Sequence, residues 1–227
     1  MNLLALDTAT EHMGLSLKTS EKADLFFSAR LGLKHAQSLL LWIDRLLEQA
    51  GLEPRELNAL VVNRGPGSFT GLRIAMATAK GMSQALGIPM ISLSALDCYG
   101  QSLDYFPGLI IPLVDARKKR YYTRIYQHGQ PQSDYLDLSI EEILALRKNN
   151  QPALLTGSAA RKIFMEHKQS DLFLDPHWDL SPADLLAEWG QKALEQNPKG
   201  DEPGQGPLYL RKSEAELSLE ERQKIDS

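Results

Sequence analysis

Arg64-Gly65-Pro66-Gly67-Ser68-Phe69-Thr70-Gly71-Leu72-Arg73-Ile74, with the residues that follow to Leu86, decides how the chain is read. The apolar run Ala59 to Asn63 before it predicts a buried strand. Gly-Pro-Gly makes a tight turn. Ser68 or Thr70 is then placed to cap a helix by accepting a bond from an unpaired backbone N–H. On a wheel of about 100° per residue, that helix has one narrow polar stripe, Arg73, Lys80 and Gln84. Leu72, Ala75, Met76, Ala79, Met82 and Leu86 make one apolar face. Ile74, Ala77, Thr78, Gly81 and Ala85 make a second, of small or apolar residues. A helix apolar nearly all round is expected to be buried on nearly all sides. A Gly-rich turn opening a helix also describes a phosphate cradle. Pro66, however, has no N–H to donate, and no P-loop lysine follows at the required spacing. The turn is therefore read as setting the helix direction. Ala77, Gly81 and Ala85 are read as letting a helix of another chain approach closely.

The preceding segment supports this. His35 to Ala50 predicts a helix with the core stripe Ala36, Leu39, Leu40, Ile43, Leu46, Leu47 and Ala50, stopped by Gly51. Leu41 lies far from that stripe and Trp42 at its edge. Leu41, Trp42 and Arg45 join Arg73, Ile74, Ala77, Thr78, Gly81 and Ala85 as the candidate partner interface. The alternative is that a second domain of the same chain covers them.

Around these helices, Leu3 to Thr8 reads as a strand covered on both faces. Gly14 to Thr19 and Ala23 to Ala29 complete a meander. Pro89 to Leu93 is a further strand and Ser94 to Asp104 a short helix. The order β-β-β-α-β-α-β-α is that of a mixed α/β layer. The turn Asp7-Thr8-Ala9-Thr10 fits two readings: a polar strand end held by its own side-chain bonds, which is preferred, or a place for a phosphate or cation.

Composition bounds the class. The chain has 227 residues, 43% hydrophobic and 24% charged, with a formal net charge of −4. That is an ordinary globular balance, with no bulk attraction to nucleic acid or membrane. One cysteine, Cys98, excludes an internal disulfide framework. The start, Met1 to Asp7, lacks a basic segment and meets a charge too early for a signal peptide. No apolar run approaches the roughly 18 residues needed to span a bilayer. A cytoplasmic protein is expected.

The second half reads as Leu109 to Asp115, a turn at Ala116 to Lys119, and a returning strand from Arg120 to Gln127. This hairpin carries Arg117, Lys118, Lys119, Arg120 and Arg124, interleaved with Tyr121, Tyr122 and Tyr126. Such interleaving suits nucleic acid. A solvated edge strand guarded by charge is the preferred alternative. Ser139 to Asn149 predicts a helix opened by a capping box of Ser139 and Glu142. Ala153 to Thr156 is a strand, followed by the small-residue turn Gly157-Ser158-Ala159-Ala160 and a helix start. Leu172 to Asp175 is a short strand. Ser181 to Glu195 is a helix with Pro182 in its first turn. Pro198 to Pro207 is a loop, Leu208-Tyr209-Leu210-Arg211 an apolar patch that re-docks on the body, and Glu214 to Ser227 a charged tail. Residues 1–104 are expected to form one lobe with the dimerisation helices, and residues 105–196 a smaller second lobe whose last helix packs back on the first. Residues 197–227 are expected to form a loop and tail.

The Asp-Thr-Ala-Thr turn, the block Asn63-Arg64-Gly65-Pro66-Gly67-Ser68-Phe69-Thr70-Gly71-Leu72-Arg73-Ile74, Asp115-Ala116-Arg117 and Pro207-Leu208-Tyr209-Leu210-Arg211 together resemble the TsaB (YeaZ) family. The Gly-Pro-Gly-Ser-Phe-Thr-Gly block is the specific part. The resemblance implies an α/β fold of the actin/sugar-kinase/Hsp70-like (ASKHA) kind, with two lobes, each a mixed sheet flanked by helices. It implies a non-catalytic part in forming N6-threonylcarbamoyladenosine next to the anticodon of tRNAs that read codons beginning with A. It implies pairing with the related transferase TsaD and assembly with the ATPase TsaE. It also implies a homodimer through the same helical face, and tRNA met only within the complex. No cofactor of its own is implied, with ATP or ADP expected in the assembled complex. Asp7, Thr8, Thr10 and Asp115 are the candidate nucleotide-facing residues. Arg117, Lys118, Lys119 and Arg120 are the candidate tRNA contacts. The resemblance expects Glu where Arg120 stands, so local positive charge is expected to rise there.

The residues themselves speak to catalysis. The transferase relatives carry a His-x-x-x-His metal motif. Its two His positions correspond here to Ala95 and Tyr99. His12, His35, His128, His167 and His177 include no pair four apart. Cys98 has no evident His partner. A scaffold is favoured over the alternative, a stand-alone ATPase, kinase or metallopeptidase-like enzyme. Asp7 and Asp115 at strand ends keep the kinase version open.

Overall fold

The computed structural model describes residues 1–32, 35–148, 151–177 and 179–211. The expected tail from Glu214 to Ser227, and Asn149, lie outside the described residues. The first lobe runs β1 (Leu3–Asp7), β2 (His12–Lys18), β3 (Leu25–Arg30), α1 (His35–Ala50), β4 (Ala59–Asn63), α2 (Phe69–Leu86), β5 (Met90–Leu93) and α3 (Ala95–Ser102). Its sheet has the order β3-β2-β1-β4-β5, antiparallel on the β2 side and parallel from β1 through β5. β1 and β4 are buried along their whole length, as their unbroken apolar runs require.

Period-2 alternation sends each central strand to two cores. Leu4, Leu6, Leu60 and Val62 pack under α1 and α2 with Leu39, Ile43, Leu47, Ala75, Met76 and Ala79. Leu3, Ala5, Ala59 and Val61 face the other way. They are covered by Leu186, Ala187 and Leu194 of the last helix, Ala183–Gln196, with Cys98 of α3. That late helix comes so close that a Cβ on Gly190 would lie 2.2 Å from Val61 Cγ2. It therefore belongs by packing to the first sheet.

The second lobe runs β6 (Leu109–Pro112), β7 (Val114–Asp115), β8 (Tyr121–Thr123), β9 (Tyr126–Gln127), β10 (Gln130–Pro131), β11 (Leu136–Leu138), α4 (Ile140–Ala145), β12 (Ala153–Thr156), α5 (Ala160–His167) and β13 (Leu172–Leu174), ahead of α6 (Ala183–Gln196). One sheet has the order β10-β9-β6-β12-β13 and a small one β11-β8-β7. The single hairpin expected over residues 109–127 is therefore divided. β6 and β9 pair in the larger sheet, β7 and β8 in the smaller. The break falls at Arg124 and Ile125: the Ile125 N–H donates to Ser133 Oγ, and the Arg124 side chain to the Ser133 carbonyl. The helix expected from Ser139 is shorter, ending at Ala145, but Ser139 and Glu142 make the reciprocal cap. Leu40, expected in the α1 core stripe, is 59% exposed. It stands one position round the wheel from Leu39, away from the centre set by Leu39, Ile43 and Leu47. Among the described residues, no helix is long and apolar enough to cross a membrane.

Candidate partner interface and cleft

The signature turn is a packing device. Ser68 caps α2 by accepting from the Gly71 N–H at 3.3 Å. A Cβ on Gly71 would sit 1.9 Å from the Thr8 carbonyl oxygen, and one on Gly67 2.4 Å from that of Ala9. Thr8 Oγ1 donates to the Gly71 carbonyl at 2.7 Å, and the Ser68 N–H to the Ala9 carbonyl at 2.7 Å. The two sequence blocks are thus one contact, with glycines where backbone meets backbone.

From this anchor α2 presents three sides. Leu72, Ala75, Met76 and Ala79 are buried in the core. The polar stripe is crossed by the C-terminal segment: Lys80 Nζ donates to the Pro203 carbonyl at 2.9 Å, and Arg73 Nε to the Tyr209 hydroxyl at 3.0 Å. Tyr209 stacks on Phe69, with centroids 4.6 Å apart. The third side carries Ile74, Ala77, Thr78, Gly81 and Ala85. Ala77, Gly81 and Ala85 are exposed, Ile74 and Thr78 half-buried. A Cβ on Gly81 would meet nothing within 4 Å. Within this chain the third side is open. Leu41 on the neighbouring α1 is 50% exposed, and Leu40, not foreseen, lies beside it. Trp42 is less free than expected, because Phe27 stacks on it at 3.9 Å and Arg45 lies 5.2 Å from its ring centre. Arg73 is likewise engaged by Tyr209 and Phe69, whose ring centres lie 5.7 and 5.8 Å from its guanidinium carbon.

Between the lobes lies a cleft of about 570 Å³, lined by Thr10, Glu11, His12, Arg30, Gly67, Ser68, Asp115, Arg117, Lys118, Ser158 and Lys162 among others. Of the four residues expected to face a nucleotide, only Thr10 and Asp115 line it. Asp7 and Thr8 are fully buried. Asp7 Oδ1 accepts from the Ala9 N–H and Asn63 Nδ2 (3.0 and 2.8 Å), and Oδ2 from Ser181 Oγ at 2.7 Å. Asp7 is therefore a buried brace joining β1, β4 and the start of α6. Asp115 accepts from the Arg117 N–H at 2.7 Å. Burial holds the His12 imidazole below its usual pKa.

The candidate RNA-contact residues divide as well. Arg117, Lys118 and Lys119 are exposed. Arg120 is not free charge: Asp137 binds it through side chain and carbonyl, and Glu142 lies 3.7 Å away. Tyr121, Tyr122 and Tyr126 are buried, so the aromatic half of the expected interleaving faces the core. Lys162, at the start of α5, lines the cleft and was not foreseen, since helix position alone does not reveal a cleft. Ala95 and Tyr99, at the positions aligned with the metal motif, are both buried on α3. Cys98 is buried too, and burial pushes its thiol far above the usual range.

Residues 31–170 match the family model TsaD, tRNA N6-adenosine threonylcarbamoyltransferase. The chain is 28% identical to the Bacillus subtilis (strain 168) tRNA threonylcarbamoyladenosine biosynthesis protein TsaB, over 99% of this chain and 100% of that one. The structure of YeaZ from Pseudomonas aeruginosa matches with a TM-score of 0.75 at 29% identity, covering 92% of this chain and 99% of that one. Component A of the Acidaminococcus fermentans (R)-2-hydroxyglutaryl-CoA dehydratase, at 9% identity and a TM-score of 0.53, covers 86% of this chain and 99% of that one, a likeness of fold alone.

Proposed function

The chain belongs to the TsaD family of tRNA N6-adenosine threonylcarbamoyltransferases, in its TsaB/YeaZ branch, and from that premise we propose that it is a non-catalytic partner in forming threonylcarbamoyladenosine on tRNA. Its α2 face docks on the catalytic relative TsaD or on a second copy of itself, with the ATPase TsaE joining the assembly. ATP or ADP binds in that assembly and not to this chain alone. The reaction is placed in the cytoplasm.

The observation that carries this is the open third side of α2. Ala77, Gly81 and Ala85 leave room for a helix backbone, beside the exposed Leu41, and no segment among the described residues fills it. Small residues in a row on an exposed face let another helix approach closely, and burying such a face with Leu41 and Ile74 gains apolar contact. The state of the candidate catalytic groups supports the non-catalytic reading. Asp7 is saturated by internal donors. Ala95 and Tyr99 cannot replace paired His ligands. A thiol held protonated by burial is no nucleophile.

Co-purification with TsaD on a sizing column tests the reading. Ala77→Glu or Gly81→Arg is expected to leave far-UV circular dichroism and melting intact while abolishing both the homodimer and the TsaD pair. Variants that stay dimeric and still bind TsaD would show the interface to be elsewhere. ATP turnover by the chain alone, lost in Asp7→Asn, would overturn the non-catalytic assignment.

A further inference from the structure

The loop between β7 and β8 concentrates charge in a protein whose net charge is −4. Arg117, Lys118 and Lys119 are exposed there, and Arg117 and Lys118 line the cleft together with Lys162 of α5. Among the described residues, none of these four forms an ion pair. The other two cations lining the cleft are matched, Arg30 by Glu11 and Arg211 by Asp137.

The loop is also held in an unusual shape. Arg117, Lys118 and Lys119 have φ of 64°, 52° and 57°, three successive non-glycine residues in the left-handed region. Each such residue costs on the order of 1–2 kcal/mol. Conformations of this kind persist where surrounding structure over-determines them and cluster at functional sites. Here the framework is visible: the Arg117 N–H bonds Asp115, the Arg120 N–H bonds the Arg117 carbonyl at 3.0 Å, and Asp137 locks the Arg120 side chain. The three cations are carried on a fixed tip.

We propose that this mouth of the cleft binds backbone phosphates of an RNA strand, with Arg117, Lys118 and Lys162 as their ligands. The proposal rests on the reading above that the chain serves a tRNA-modifying assembly. Two observations favour a polyanion lying across the mouth over a free nucleotide seated within. Asp7 is spent on Ala9, Asn63 and Ser181, and the separate pocket that it lines holds only about 10 Å³. Tyr121 and Tyr122 line the cleft but are only 4% and 6% exposed, and Tyr126 is buried, so they offer little ring face for a base to stack on and the contact is with phosphate. Phosphate contacts position a nucleic acid without reading its sequence.

Fluorescence anisotropy separates the sources. A labelled anticodon stem-loop and a labelled ATP analogue are each titrated against this chain in complex with TsaD, over a range of salt. In the triple variant Arg117→Ala, Lys118→Ala, Lys162→Ala, stem-loop affinity is expected to fall about tenfold or more. The slope of log affinity on log salt is expected to shrink by about 2, at roughly 0.7–0.9 for each phosphate no longer neutralised. Lys118→Arg retains affinity, and millimolar ATP does not displace the stem-loop. An unchanged affinity and slope overturns the proposal. So does displacement of RNA by ATP with a parallel loss of ATP binding in the variant, which would make the mouth a nucleotide site. Pairing with TsaD is scored separately on the sizing column. Its loss in the wild-type chain would refute the scaffold reading, whereas intact pairing with unchanged RNA affinity refutes only the phosphate site.

Discussion

Two glycines on the same helix do opposite work. Gly71 stands against the Thr8 carbonyl, where a Cβ would lie 1.9 Å from oxygen, whereas a Cβ on Gly81 would meet nothing within 4 Å. Gly71→Ala forces backbone apart at the joint between β1 and α2, and overpacking of this kind costs typically 1–3 kcal/mol, occasionally more. Gly81→Ala removes the flexibility of glycine from an exposed helix interior and is expected to stabilise the chain by about 0.5–1 kcal/mol. Urea denaturation of the two variants checks this. Equal effects would mean that the close approach at Gly71 is not what fixes that glycine. Sequence alone marked the motif as a turn but not this contact, because Thr8 and Gly71 are 63 residues apart. Asp7 was hidden in the same way. A carboxylate at a strand end invites a ligand, and only the fold reveals the three groups that saturate it.

At the scale of elements, helical and strand periods made most of the architecture readable. α1, α2 and β4 stand where their apolar patterns place them, because each helix buries a definite stripe and β4 buries both faces. Short strands of the second lobe were less legible. β7, β9 and β10 have two residues each, too few for a period to declare itself, and sheet membership there depends on partners distant in sequence. The C-terminal segment shows how a weak pattern gains meaning from its receptor. Asp201 accepts from the Ser92 N–H at 2.8 Å, Lys80 reaches Pro203, Tyr209 lies on Phe69 and under Arg73, and Arg211 binds Asp137. The segment runs from the edge of the first sheet, along the polar stripe of α2, to the second lobe. Tyr209→Ala is expected to lower stability by about 1–2 kcal/mol, the sum of a stacked aromatic pair and one hydrogen bond. It also frees residues 203–211 to a protease. Limited proteolysis that leaves this segment as resistant as in the wild type would show that the stack does not hold it.

Across the whole molecule, the lobes are joined by an apolar cluster of Leu96 with Val114, Ala116 and Tyr122, and by specific polar contacts. Asp97 of α3 accepts from Arg124 Nη1 at 3.0 Å, from the Tyr135 hydroxyl at 2.6 Å and from the Tyr126 hydroxyl. All three donors belong to the second lobe. α3 lies so close to it that a Cβ on Gly100 would sit 2.2 Å from the Tyr126 ring. Burial and Asp97 together push the Tyr126 and Tyr135 hydroxyls above their usual pKa, so both remain donors throughout the physiological range. Arg211 adds a second tie through Asp137 and the Ala116 carbonyl. Asp97→Ala removes the carboxylate that accepts from the half-buried Arg124 and the buried Tyr126. Hydrogen bonds to charged groups contribute about 1.5–3 kcal/mol, so a loss of roughly 2–3 kcal/mol is expected. The loss is expected to be uneven. β1 and β4 keep their own core under α1, α2 and α6, whereas β6 and β12 lose the brace that fixes them to α3. Native-state hydrogen exchange is therefore expected to accelerate at Ile110, Ile111, Leu154 and Leu155 and to stay unchanged at Leu4, Ala5, Leu60 and Val61. Equal acceleration in both sets would mean that the lobes unfold as one unit and that their coupling runs through the packed interface as a whole, not through the carboxylate of Asp97.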